Sequence, residues 1–138
     1  MAYIAGIIDA DGYITIAKTK LRGEARKYHV LVKITNTFFP LLYAIQEGFG
    51  GSVSTRPAHG NWAGAGWLTI AADQAIALLE AVRPWLRVKA AEAWLALEFA
   101  ANRKARQGAI IPPGELALRE GYYLAIQYAC HHRMELVA

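Results

Sequence analysis

Tyr3-Ile4-Ala5-Gly6-Ile7-Ile8-Asp9-Ala10-Asp11-Gly12 is an apolar run that stops at two carboxylates and a glycine. Ala2, Gly6 and Ala10 recur at i, i+4 and i+8, so on a helix they stack on one face. A face that bare lets a second helix approach closely, because no side chain holds the backbones apart. Ile4, Ile7 and Ile8 then point toward the chain's own core. Asp11-Gly12 is a turn signal. The stretch therefore predicts a helix over 1–10 that presents acids where it ends.

Downstream, residues 13–20 read as a strand in which Ile14 and Ile16 alternate with Tyr13, Thr15 and Ala17. Gly23 marks a connection over 21–26. The alternation is cleaner over 27–35, where Lys27, His29, Leu31, Lys33 and Thr35 share one face and Tyr28, Val30, Val32 and Ile34 the other. A helix over 38–47 is opened by Thr37 and Pro40 and ended by Gly48 and the Gly50-Gly51 pair. Strands at 52–56 and 67–71 flank a loop rich in Gly and Pro, and Asp73 caps a helix running to about residue 82. Pro84 interrupts the helical pattern, which resumes over about 88–104 and again, after Pro112-Pro113, over about 115–134. The order predicts an α+β fold with an antiparallel four-stranded sheet.

The 138 residues suit one domain, with a core of about 1–107 and an added C-terminal helix at about 115–134. At 55% hydrophobic and 19% charged, the chain is no disordered polyelectrolyte, and its excess apolar surface calls for a covering such as a protomer interface. A net charge of +4 attracts a polyanion, the more so when doubled in a dimer. One cysteine, Cys130, makes neither an intrachain disulfide nor, alone, a zinc site. No apolar run is long enough to span a membrane and no secretory signal is present, so an intracellular protein is expected.

The opening stretch resembles the LAGLIDADG motif of homing endonucleases, differing by Ile at positions 4 and 7 where the motif has Leu, and it stands in the expected helix-then-strand context. The resemblance, which extends over most of the first hundred residues, implies an αββαββα core with a saddle-shaped sheet. It also implies a homodimer of the single-motif class joined through Ala2, Gly6 and Ala10. Asp11 and the backbone carbonyl of Ala10 match the metal ligands, while Asp9 matches an acid that is structural in the family. Two such helices crossing at a two-fold axis set Asp11 beside its symmetry mate, and carboxylates that close need cations between them. Hard oxygen ligands favour Mg²⁺, with Mn²⁺ able to substitute, and a metal pair can activate water on a phosphodiester.

Two further residues are carried over in the same way. Asn36, ending Ile34-Thr35-Asn36-Thr37, matches a polar residue that positions water near the metals; its plainer role is to bond its own backbone as a helix cap. Lys89, in Arg83-Pro84-Trp85-Leu86-Arg87-Val88-Lys89, matches a lysine near the scissile phosphates; without the family it would read as a solvated lysine at a helix start. Phe38, Phe39 and Pro40 stand where some members carry a basic residue.

The resemblance implies that the sheet's open face follows double-stranded DNA through Thr15, Thr19, Lys27, His29, Lys33, Ser54, Arg56 and Thr69, with Lys18, Lys20, Arg22 and Arg26 extending the contact. Any half-exposed sheet also shows polar residues to water. Trp62, Trp67, Trp85 and Trp94 read as packing residues, and His131-His132 as a surface pair. The expected activity is a metal-dependent double-strand break in a long, partly palindromic site. An intron maturase that binds RNA, or a non-catalytic DNA-binding regulator, is the competing function.

Overall fold

The computed structural model describes residues 1–20, 26–61, 64–103 and 112–132. Its elements are α1 (Ala2–Asp11), β1 (Gly12–Lys20), β2 (Arg26–Asn36), α2 (Phe39–Phe49), β3 (Ser52–Arg56), β4 (Ala65–Ala71), α3 (Ala72–Val82), a 3₁₀ turn at Arg83–Trp85, α4 (Ala90–Ala101) and α5 (Pro113–His131). The strands form one antiparallel sheet in the order β1-β2-β4-β3. This is the α+β arrangement that the alternation of apolar and polar residues predicts. No helix among the described residues is long and apolar enough to cross a membrane.

One face of the sheet makes the core. Ile14, Ile16, Val30, Val32, Ile34, Leu68 and Ile70 are each no more than 1% exposed, and they pack with Ile8 of α1, Leu42 of α2, Leu78 and Leu79 of α3 and Phe99 of α4. Each such side chain contributes about 1.5–3 kcal/mol relative to leaving it in water. α1 to α4 are therefore held to one side, and most of the opposite face of the sheet stays open.

Element ends depart from expectation for local reasons. α2 runs through Gly48 to Phe49 and stops where Gly50 and Gly51 take φ of 82° and 92°. A Cβ on Gly51 would lie 2.5 Å from the Thr69 carbonyl oxygen, so that site admits only glycine. Asp73 does not cap α3: Ala71 is the capping residue, and the Asp73 carboxylate instead meets Arg103 at 3.5 Å. The expected core boundary near residue 107 falls outside the described residues.

α5 is fastened to the rest of the fold by polar contacts. Lys18 Nζ meets Glu120 at 3.0 Å, the Tyr28 hydroxyl donates to the same carboxylate, and Gln127 Nε2 donates to Thr15 Oγ1 at 3.0 Å. Tyr123 packs edge-on to Tyr28, with ring centres 6.2 Å apart. Lys18 and Tyr28 stand directly opposite each other on the core side, whereas Thr15 points the other way. A helix that grips both faces of an edge strand lies along its free edge.

Candidate active site

A helix accumulates partial negative charge at its C-terminus, where the last carbonyls lack partners. α1 places two acids there with no basic residue in its last turn. Their surroundings differ. Asp9 accepts hydrogen bonds from the backbone N–H groups of Arg87 (2.8 Å), Val88 (3.1 Å) and Lys89 (3.0 Å), which lead into α4. Its charge thus rests against the positive end of a second helix. Lys89 reciprocates: only 5% exposed, it donates from Nζ to the Asp9 carbonyl oxygen at 2.5 Å.

Asp11 has no such compensation. It is exposed, and no hydrogen bond or ion pair engages it among the described residues. A carboxylate at the negative end of a helix is best relieved by a cation, and the neighbouring Ala10 carbonyl offers a second hard oxygen. The donor set therefore fits a divalent ion such as Mg²⁺. Among the described residues no group of three or more His, Cys, Asp or Glu side chains is placed to hold a metal ion, and the nearby Asp9 is taken up by backbone N–H groups.

Backbone geometry fixes where that carboxylate sits. β1 begins at Gly12 with no spacer after α1, and a Cβ on Gly12 would lie 2.7 Å from both the Cα and the carbonyl oxygen of Ile8. Glycine is thus the residue that lets the strand leave against the helix. Gly12 pairs with Ile34, so Asn36 runs two residues, or about 7 Å, past the start of β1. Asn36 accepts a hydrogen bond from Phe38 N–H at 2.8 Å, a local turn ahead of α2. Its carboxamide oxygen is thus engaged by the backbone two residues on, the plainer of its two roles.

The open face of the sheet is ordered in rows. Tyr13, Lys33, Thr69 and Ser52 stand opposite one another across all four strands, next to the row of Thr35, Trp67 and Ser54. Ala17 stands opposite His29, and Thr19 opposite Lys27, whose carbonyl accepts the Thr19 hydroxyl at 3.4 Å. Arg56 is exposed at the end of β3, beside Ala65. Two expected DNA contacts are already engaged within the fold. Thr15, on the side of the sheet away from the core, is 5% exposed and accepts from Gln127, and Lys18 points to the core side, paired with Glu120 near the rings of Tyr28 and Tyr123. Lys20 and Arg26 end their strands opposite each other, and Arg22 falls outside the described residues.

Sequence reasoning missed Trp67. It lies half-buried on the open face with Lys33 Nζ 5.4 Å from its ring centre, a contact that steadies the lysine. Trp67 shares a face with Thr69, and that parity was the available signal. Trp85 and Trp94 are about half exposed, at 47% and 49%, so packing does not account for them; Trp62 lies outside the described residues.

His29 has its pKa lowered below the ordinary histidine value of about 6.5, first by burial and then by the charge of Lys27. It is therefore neutral at pH 7. Around and below pH 6.5 the unfolded chain takes up more protons than the folded one, so stability falls as the pH drops through that value. His29→Gln is expected to flatten this part of the pH dependence, as measured by urea unfolding at pH 7.5 and 5.5.

No protein-family model matches the sequence, and no curated protein is significantly similar to it. Solved structures are similar. I-CvuI, a homing endonuclease in complex with the I-CreI target, matches with a TM-score of 0.73 at 20% identity over 91% of this chain and 78% of that one. The chain has the LAGLIDADG homing endonuclease fold. The archaeal intron-encoded homing endonuclease I-Vdi141I, complexed with DNA, gives a TM-score of 0.56 at 16% identity over 88% of this chain and 95% of that one. The LAGLIDADG homing endonuclease I-SmaMI, bound to cleaved DNA, gives 0.67 at 13% identity; the match covers 88% of this chain and 42% of that longer one. In this fold the Ala2, Gly6 and Ala10 face of α1 is exposed, and nothing in the described structure lies within 4 Å of where a Gly6 Cβ would stand.

Proposed function

We propose that the chain is a site-specific endonuclease that makes double-strand breaks in DNA as a homodimer, with Asp11 of each protomer holding divalent metal. One observation carries this reading: an exposed, uncompensated carboxylate ends the helix whose small-residue face is bare. Crossing two such helices through Ala2, Gly6 and Ala10 brings the two Asp11 side chains together and completes a site of which one chain has half. Of the similar structures, I-CvuI is known with DNA in 2 mM Mg and in 2 mM Ca. Mg²⁺ is the proposed ion, and Mn²⁺ should substitute.

Bound there, the metal would supply Lewis-acid polarisation of the phosphate and acidify a water. The residues of the chain do the rest. Asp11 and the Ala10 carbonyl would hold the ion, and the Asn36 amide would orient water beside it. Thr19, Lys27, His29, Lys33, Ser54, Arg56 and Thr69 line the groove-facing sheet, with Trp67 among them. Lys20, Arg22 and Arg26 near the first hairpin extend the contact along phosphates. From Lys33 to Lys27 is roughly 20 Å along the strand, about six base pairs of DNA rise. Two protomers would then read a long, partly palindromic site. The whole chain is proposed to act as one domain.

The deciding experiment is to incubate the purified protein and Mg²⁺ with a plasmid library of randomised sites and sequence the ends produced. Linearised plasmids sharing a two-fold related site are expected. A protein that cuts no duplex yet binds intron RNA tightly would overturn the reading in favour of a splicing cofactor. Specific duplex binding without cutting would favour a regulator.

A further inference from the structure

The contact between α1 and α4 is reciprocal. The Asp9 carboxylate takes the N–H groups of residues 87–89 at 2.8–3.1 Å, and the Lys89 amine returns to the Asp9 carbonyl at 2.5 Å. Each helix end thereby receives the charge it attracts, an anion at the start of α4 and a cation at the end of α1. Burial at 5% exposure strengthens the second contact, because little water competes for either partner. The clasped carbonyl belongs to the residue directly before Ala10, two positions from Asp11, and Gly12 allows no slack beyond it.

We propose that Lys89 and Asp9 form a two-way clasp that aims the metal-holding end of α1, so that Lys89 is a positioning residue acting through the Asp9 carbonyl rather than on the phosphate. The proposal rests on the nuclease reading and departs from the role that the motif resemblance assigns to this lysine. Its physical basis is directional. A buried ammonium committed to a backbone carbonyl fixes the direction of the last peptide planes of α1, and those planes set where the Ala10 carbonyl and the Asp11 carboxylate point. Groups that orient metal ligands in this way typically change metal affinity or activity by about 10- to 100-fold when removed.

The test uses the full-length dimer on a duplex site obtained by selection. Mn²⁺ binding is followed by the loss of the free-ion EPR signal, and single-turnover cleavage is measured across Mn²⁺ concentrations. Lys89→Met and Asp9→Asn are each expected to weaken Mn²⁺ binding about 10- to 100-fold. The double variant should lose no more than the worse single one, because both break the same clasp. Saturating Mn²⁺ should restore cleavage to within about threefold of the wild type.

Lys89→Gln supplies a second reading should the methionine variant fold poorly. A neutral amide can still donate to the Asp9 carbonyl, so its Mn²⁺ affinity should recover toward wild type. An unchanged Mn²⁺ affinity in Lys89→Met with a depressed maximal rate would overturn the proposal and assign the amine to the phosphate. Multiplying losses in the double variant would overturn it as well. If the wild type binds no Mn²⁺ that Asp11→Asn removes, the nuclease reading falls and takes the clasp with it; binding that survives Lys89→Met removes the clasp alone.

Discussion

Asp11→Asn is expected to abolish cleavage while making the protein slightly more stable. In the proposed dimer the substitution removes one carboxylate from each protomer, so a metal pair held on the dyad would lose both anionic ligands. A loss of at least about two orders of magnitude in cleavage rate corresponds to roughly 3 kcal/mol of transition-state stabilisation, within what a bound metal supplies. The same change deletes a negative charge from the negative end of α1, where no hydrogen bond or ion pair engages Asp11 among the described residues. Relieving that repulsion is worth about 0.3–1 kcal/mol, or a Tm rise of roughly 1–3 °C for a chain of this size. Cleavage assays and thermal melts on the same preparation check both halves. A variant that cuts at the wild-type rate would remove Asp11 from the site.

Gly6→Leu is expected to leave the folded protomer intact and destroy the dimer. Gly6 is exposed on α1, and a Cβ there meets nothing within 4 Å in the protomer, so the new side chain costs the protomer no packing. It should even gain about 0.8–1 kcal/mol of helix propensity over glycine. In the proposed dimer the same side chain stands between two backbones that must touch, and it forces them apart. Sedimentation should report monomers with a native circular dichroism spectrum, and cleavage should fall to background because each half-site is left alone. A dimer of unchanged affinity would place the interface elsewhere on the molecule.

The fold was legible because two periodicities alternate cleanly along the chain. Ile14 and Ile16, Val30 to Ile34, and Leu68 and Ile70 alternate as strands and are buried as such. Asp11 could be singled out from local letters, since the acid and the glycine that releases the strand are neighbours. The partners of Asp9 could not: residues 87–89 stand about 80 positions away, and nothing in either segment signals the other. Thr15 and Lys18 show the limit of alternation. It assigns a side chain to a face, but it does not reveal that a later helix wraps a strand's edge, burying Thr15 and pairing Lys18 with Glu120. Gly48 misled for a related reason, because one glycine within a well-packed helix costs only about 1 kcal/mol and tertiary contacts carry the helix past it.

The placement of α5 along β1 bears on solubility. An uncovered outer strand exposes a row of unpaired N–H and C=O groups, onto which a strand from another molecule can add, and such growth leads to aggregates. Here one margin of the sheet is shielded by α5, and the other is the five-residue β3, which carries Arg56. A chain cut back before residue 112 would retain the residues proposed to hold metal and face DNA. It would also lay bare nine residues of β1 as a template for self-association.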